Sequence, residues 1–157
     1  MAYSGRGLFL LEENMKFEKL FESKENKLYK IDGTQVPVTK EMAYPVKWSD
    51  VEGAEEEYDE AALAKLRDDL KKLEEEGRYV FIEPVYDKEA IPGQFISAMK
   101  HTSRRIKDCA SVIGFAIPEQ VAGDADVVSA FIEKIGEKHP HYVYFAKKAC
   151  NDDIVLY

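Results

Sequence analysis

The chain has little of what marks secreted, membrane-bound or disulfide-stabilised proteins. Only two cysteines occur among 157 residues, Cys109 and Cys150, and they do not form a CxxC pair. We therefore expect no disulfide framework, and two isolated thiols fit the reducing cytoplasm. The run LFLL at 8–11 is too short for a signal-peptide core or a membrane span. These absences predict a cytoplasmic protein that does not enter a membrane.

Motifs for common cofactors and nucleophiles are missing as well. The sequence contains no GxGxxG, no GxxxxGK[ST] and no GxSxG, and neither cysteine has a histidine beside it. A phosphate-binding loop or a nucleophilic hydrolase site thus has no local support. His139 and His141 flank Pro140, but two ligands do not complete a zinc site. We expect no metal and no cofactor.

The charge balance is acidic, with 30 Asp and Glu against 22 Lys and Arg and a formal net charge of −8. Nucleic acids and anionic membrane surfaces attract clustered basic residues, so neither is an expected partner. One dense basic cluster occurs, on a predicted helix, and it is typical of a solvent-exposed helix face: Lys100, Arg104, Arg105 and Lys107. The composition, 45% hydrophobic and 33% charged, fits a single globular domain over residues 1–157.

Four short apolar runs alternate with segments of helical periodicity. The runs are AYPVKW (43–48), YVFIEPV (79–85), SVIGFAIPEQ (111–120) and HYVYFA (141–146). The helical segments cover about 57–77, 93–108 and 124–138. Strands joined through helices form parallel sheets, so we predict an α/β fold with four sequential parallel strands and helical crossovers. DDIVLY (152–157) is a candidate fifth strand.

The residues before the first run form a separate lead-in. Met15 is a possible alternative start, so residues 1–14 are expected to be a peripheral extension, and 15–42 a lead-in to the strand–helix units of 43–157. Within the lead-in, Asp32-Gly33 lies between two apolar stretches, which predicts a β-hairpin with a type I′ turn. Pro37 restricts the second arm to an edge position. The lead-in therefore predicts a small N-terminal β-ribbon.

Side chains suited to a site lie at the predicted strand ends. Trp48, Glu83 and Glu119 lie toward the carboxyl ends of three of the apolar runs. Carboxyl ends of parallel strands meet at one edge of a sheet, where chemistry collects. Glycoside hydrolysis uses two carboxyl groups, so Glu83 and Glu119 are the candidate catalytic residues. Trp48 would offer a ring face to a sugar, and Gln120 is the other candidate substrate-binding residue. The alternative is that both glutamates simply end strands in solvent.

These same residues resemble the early half of a cellulase-like, family-5-type glycoside hydrolase barrel. YPVKWSDVEG (44–53) and YDEAALAKLRDDLKKLEEEGRYVFIEPVYD (58–87) are similar to that family's second strand, helix and third strand. FISAMKHTSRRIKDCASVIGFAIPEQV (95–121) and FIEKIGEKHPHYVYFA (131–146) are similar to the fourth and fifth strand units, and KLYKIDGTQVPV (27–38) to a preceding ribbon. The resemblance implies a TIM-barrel-like partial or half barrel and a carbohydrate ligand.

The sequence also departs from that family at its functional positions. Lys47 stands where the second strand usually carries Arg, Glu83-Pro84-Val85 where the third usually ends in His, and Pro118-Glu119-Gln120 where an Asn-Glu pair is usual. The chain stops before the strand that supplies the nucleophile. We therefore expect a binding or assembly protein without complete catalytic machinery. Two alternatives stay open: a carbohydrate-active hydrolase using Glu83 and Glu119, and an acidic interaction or inhibitor module.

A partial barrel also raises the question of assembly. It would have two open edges and an apolar concave face, for which we expect Val80, Ile82, Ile113 and Phe115. Pairing of two copies would cover such a face and predicts a homodimer. The N-terminal ribbon and the DIVLY tail are the alternative covers within one chain.

Overall fold

The computed structural model of the chain describes residues 19–148 and 150–157, so the expected extension 1–14 lies outside the described residues. The strands are β1 (Phe21–Lys24), β2 (Lys27–Lys30), β3 (Gln35–Val36), β4 (Ala43–Lys47), β5 (Val80–Val85), β6 (Val112–Ala116), β7 (Val143–Ala146) and β8 (Ile154–Leu156). The helices are α1 (Trp48–Val51), α2 (Glu60–Glu75), α3 (Pro92–Arg105), α4 (Glu119–Ala122) and α5 (Ala125–Gly136), with a 3₁₀ turn at Lys40–Met42.

Strands β4 to β8 form one parallel sheet in sequential order, and helices connect its first four strands. The sheet is open and does not close into a barrel. This architecture confirms the predicted α/β fold, including the fifth strand from the DDIVLY segment. Within the four apolar runs, the strands expected at 44–48, 79–85, 112–117 and 142–146 agree with β4 to β7 within one residue at each end, and Trp48 already belongs to α1. Within the described part of the chain, no helix is long and apolar enough to span a membrane.

The helices pack on one face of the sheet, called here the helix face. α2 buries Leu63, Leu66 and Leu70, the leucine stripe read from the sequence. The Asp59 carboxylate accepts a hydrogen bond from the Ala62 N–H at 3.0 Å and caps this helix, because the first N–H groups of a helix have no partner within it. The other apolar residues buried in this core are Val46, Trp48, Val51, Val80, Ile82, Phe95, Met99, Ile106, Phe115, Val128, Phe131 and Ile135.

Strands β1, β2 and β3 form an antiparallel ribbon, in which the turn between β1 and β2 was not predicted from the sequence. Glu25 and Asn26 connect β1 to β2 with φ of 52° and 64°, the pair of positive angles that a type I′ hairpin requires. The predicted type I′ turn at Asp32-Gly33 is wrong, because only Gly33 has a positive φ, 96°. The Asp32 carboxylate instead accepts the Thr34 N–H at 2.9 Å and supports a longer loop between β2 and β3.

The ribbon covers the opposite face of the sheet, called here the ribbon face. Phe21 and Leu28 pack there in one apolar cluster with Phe81, Ile113, Ala116, Val143, Phe145 and Val155. The expectation of an exposed apolar face is therefore wrong, since all of these side chains are buried. Val80, Ile82 and Phe115 point to the helices instead. Ile113 and Phe115 are two residues apart and would share one face of a regular strand. The pairing register between β5 and β6 shifts here, so the two side chains lie on opposite faces of the sheet.

The two edges of the parallel sheet differ. Beside β8, the Leu156 N–H donates to the Asn26 carbonyl at 3.1 Å, and the Asn26 side-chain amide donates to the Asn151 and Ile154 carbonyls, both at 2.7 Å. The ribbon turn thus occupies the β8 edge. The β4 edge carries Pro45, which has no N–H to offer a further strand.

Candidate functional site

An open cleft of about 160 Å³ lies at the carboxyl ends of β5 and β6. Glu83, Glu119 and Gln120, three of the four predicted site residues, line it together. The remaining lining residues are Pro84, Val85, Tyr86, Ile117, Pro118, Lys147 and Tyr157. The topology explains this convergence, because β5 and β6 are parallel neighbours and their carboxyl ends meet at one edge.

Of the two carboxylates in the cleft, Glu83 is the more firmly held in position. Along β5 it alternates with Ile82, which faces the helices, so Glu83 extends toward the ribbon face. The Tyr157 hydroxyl donates a hydrogen bond to its Oε2 at 2.7 Å. Burial raises the pKa of Tyr157, and the Glu83 carboxylate raises it further, so the phenol keeps its proton and remains a donor.

Glu119 has a more open environment. Pro118 adopts extended backbone with φ −61° and ψ 148°, which ends the strand direction and leaves Glu119 as the first residue of α4. Its side chain is exposed, as is that of Gln120. A carboxyl group that donates a proton at neutral pH is normally held in an apolar pocket. Glu119 lacks such surroundings but is well placed to accept hydrogen bonds from a ligand in the cleft.

The sequence reasoning missed two residues of the cleft, Lys147 and Tyr157. Lys147 directly follows β7, and its ammonium nitrogen lies 5.7 Å from the centroid of the Tyr157 ring. Tyr157 follows β8 and also contacts the edge of Phe81, with ring centroids 4.9 Å apart. The rule that selected Glu83 and Glu119, polar residues at strand ends, would have selected both had it been extended to the last two strands.

Trp48 does not belong to the cleft, which corrects its expected role as a sugar platform. The side chain is fully buried, and its indole N–H donates to Glu52 Oε1 at 2.6 Å. The ring packs edge-on against Tyr86 and Phe95, at centroid distances of 4.8 and 5.3 Å. Because Trp48 opens α1 directly after β4, the helical turn directs the indole into the core and away from solvent.

Glu52 forms a buried polar network that the sequence did not reveal. Besides Trp48, the Gln94 amide donates to its Oε1 at 3.0 Å and the Glu56 N–H donates to its Oε2 at 2.8 Å. The Lys88 ammonium lies 3.7 Å from Oε1. Burial acts to raise the pKa of Glu52, but these hydrogen bonds outweigh it and the net shift is downward. A carboxylate that accepts three hydrogen bonds and is 1% exposed stabilises the fold and is not accessible to a ligand.

The histidines and cysteines do not form a catalytic or metal-binding group. Within residues 19–148 and 150–157, no three His, Cys, Asp or Glu side chains are placed to hold a metal ion. Burial raises the pKa of the Cys109 thiol to about 11, which makes it a poor nucleophile at neutral pH. His101 contacts Glu60, with Nε2 and Oε2 2.9 Å apart, on the outer side of the helices.

No family model matches this chain, and no curated protein matches it. The resemblance to cellulase-like glycoside hydrolases therefore stays a prediction, and the chemistry of the cleft carries the functional argument.

Proposed function

We propose that the chain binds a small polyhydroxylated ligand, such as a single sugar unit, in the cleft at the strand ends, and does not hydrolyse it. The observation that carries this proposal is the convergence of acceptors and donors on one cleft. Glu83 and Glu119 are acceptors, Lys147 is a donor, and Gln120 offers both; the Tyr157 hydroxyl donates to Glu83 and can accept from a ligand. Sugar hydroxyl groups donate and accept at once, so a mixed lining of this kind complements them.

The size and apolar parts of the cleft fit the same class of ligand. Its volume of about 160 Å³ is below the roughly 300–1,000 Å³ of pockets for drug-sized molecules, which favours one ring over a chain. Tyr86, Pro84 and Val85 add apolar surface beside the polar groups. Such surface complements the C–H face of a sugar ring.

Hydrolysis is the second candidate, because two carboxylates line the cleft. It requires one carboxyl group as acid and another as base or nucleophile. Glu119 is exposed and so lacks the apolar pocket of a general acid, and Glu83 already accepts the Tyr157 hydroxyl. These environments favour hydrogen-bond acceptance over proton transfer, so we rank binding first.

Titration with a panel of monosaccharides, followed by two-dimensional NMR of labelled protein, tests the binding proposal. We expect saturable shift changes at residues of the cleft. Glu83→Gln should weaken binding about tenfold or more, because a hydrogen bond to a charged group is worth about 1.5–3 kcal/mol. Glu75→Gln is the matched control, since Glu75 is exposed at the end of α2. Shift changes that do not saturate, or that Glu83→Gln leaves intact, would contradict the proposal.

Assays with chromogenic glycosides and soluble β-glucans separate the binder from the enzyme. We expect no hydrolysis above the uncatalysed background. Turnover that Glu119→Gln abolishes, with folding unchanged, would establish the hydrolase instead.

A further inference from the structure

A second cavity, of about 360 Å³, lies where the ends of α3 and α5 meet. Helices that connect parallel strands run antiparallel to them, so this cavity is at the opposite end of the sheet from the cleft. Its lining is entirely basic or imidazole: Arg104, Arg105, Lys107, Lys138 and His139. It is named here the basic cavity.

Most of the positive charge at the basic cavity has no ion-pair partner among residues 19–148 and 150–157. Arg105 pairs with Glu60, its Nε lying 2.8 Å from Oε1. Arg104, Lys107 and Lys138 make no ion pair with any residue that the structure describes. A chain with a net charge of −8 thus concentrates three uncompensated cations around one cavity.

Helix ends alone explain only part of this arrangement. A cation in the last turn of a helix interacts favourably with the terminal carbonyl groups, which accounts for Arg104 and Arg105 on α3. Lys107 and Lys138 lie beyond their helices yet line the same cavity. Cations gathered in this way repel one another and raise the free energy of the fold unless an anion compensates them.

His139 forms the buried part of the basic cavity. It is 1% exposed, and its ring stacks on Tyr142 with centroids 4.9 Å apart. Burial, the largest cause, and the charges of His141, Lys107 and Arg104, in that order, together lower the pKa of His139 to about 4. An anion in the cavity would offset the last two effects, so the titration of His139 reports on occupancy.

We propose that the basic cavity binds the phosphate or sulfate group of a small ligand. Guanidinium and ammonium groups are the side chains that recognise such tetrahedral anions; four of them line this cavity, and one, Arg105, is paired with Glu60. A water-sized group occupies about 30 Å³, so the five heavy atoms of phosphate fill less than half of the cavity. The remaining volume leaves room for an attached group. The acidic surroundings would repel an extended polyanion such as nucleic acid, which favours a small ligand.

Calorimetric titration of the full chain with inorganic phosphate, sulfate and a sugar phosphate monoester tests the proposal, with chloride at matched ionic strength as the reference. We expect saturable binding that Lys107→Gln weakens about tenfold and that the double variant R104Q/K107Q abolishes. Both side chains are exposed, so these variants should fold. Lys72→Gln, an exposed lysine of α2, is the matched control and should bind normally.

Two further readouts separate a site from general ionic effects. The NMR-measured pKa of His139 should rise with bound phosphate, and Glu83→Gln should leave phosphate binding unchanged, because the cleft is a different site. Tighter binding of the monoester than of inorganic phosphate would show that the cavity also contacts the attached group. The proposal would be overturned if chloride bound as tightly as phosphate, or if the R104Q/K107Q variant still bound phosphate.

Discussion

Replacing Glu52 by glutamine tests whether the buried network around α1 stabilises the fold. The carboxylate is 1% exposed and accepts hydrogen bonds from the Trp48 indole and the Gln94 amide on one oxygen and from the Glu56 N–H on the other. Glutamine has one oxygen and an NH₂ group of the same shape. In one orientation the amide NH₂ faces the part-buried Glu56 N–H, and in the other it faces the Trp48 indole and the Gln94 amide, so at least one donor then faces another donor.

The magnitude of the loss follows from these contacts. A buried donor without its acceptor costs about 1–3 kcal/mol. Loss of the charge also removes the attraction to Lys88, whose Nζ lies 3.7 Å from Oε1, and this adds up to about 1 kcal/mol. We therefore expect Glu52→Gln to lower the free energy of unfolding by about 1–4 kcal/mol. Against a typical stability of about 5–15 kcal/mol, the variant still folds.

Urea denaturation followed by tryptophan fluorescence measures this loss, because Trp48 is the single tryptophan of the chain and is fully buried. Glu55→Gln changes an exposed neighbour and should stay within about 0.5 kcal/mol of the parent. The pKa of Glu52 is lowered from 4.5 on folding, so its ionised form contributes stability that is fully present above pH 4.5. That contribution is lost as the pH falls through the folded pKa.

The difference between parent and Glu52→Gln should accordingly be constant at neutral pH and shrink below pH 4.5. A loss no larger than that of Glu55→Gln would refute the assigned role of the network. A loss that is equally large at neutral and at strongly acidic pH would refute the argument from ionisation.

Three further predictions follow from the fold. Gly114→Ala should lower the free energy of unfolding, measured by thermal denaturation, by more than about 3 kcal/mol, because its Cβ would lie 1.6 Å from the Val143 carbonyl oxygen. A Cβ at Gly123 would meet open space, so Gly123→Ala should leave the stability nearly unchanged. Asn26→Gly keeps the positive φ but loses two amide hydrogen bonds to the β8 segment, so a loss of about 1–2 kcal/mol in urea denaturation is expected, and no loss would contradict the edge cover. Light scattering should give a 17.9 kDa monomer, because the ribbon buries the face that motivated a homodimer; twice that mass would contradict this expectation.

The helices and parallel strands could be predicted because their local signals agree with the fold. Leu63, Leu66 and Leu70 repeat at helical spacing, and Asp59 caps the helix that they define. The sequence predicted the ribbon itself, but gave its packing on the sheet only as an alternative to a homodimer. Its contact with the sheet depends on two isolated apolar residues, Phe21 and Leu28, in a polar segment without clear periodicity. Side-chain alternation therefore gave no sign that the ribbon would bury them.

The site could be predicted only in part, for a related reason. Glu83 and Glu119 were found because parallel topology alone brings strand ends together. Trp48 was assigned to the same rim by position, but its orientation depends on Glu52, the partner that holds its indole inside. This hydrogen bond depends on the tertiary structure, and the spacing of residues in the sequence does not reveal it. Tyr157 reaches Glu83 across 74 residues, again through tertiary structure.

The surroundings of the two carboxylates are the basis on which we propose binding ahead of hydrolysis. A glycosidase keeps its two groups in unlike environments, so that one holds a proton and the other does not. Here Glu83 accepts the Tyr157 hydroxyl at 2.7 Å, and Glu119 projects into solvent from the first position of α4. Lys147 adds a donor to the same cleft. We therefore propose that both carboxylates accept hydrogen bonds from ligand hydroxyl groups and do not supply a proton to a leaving group.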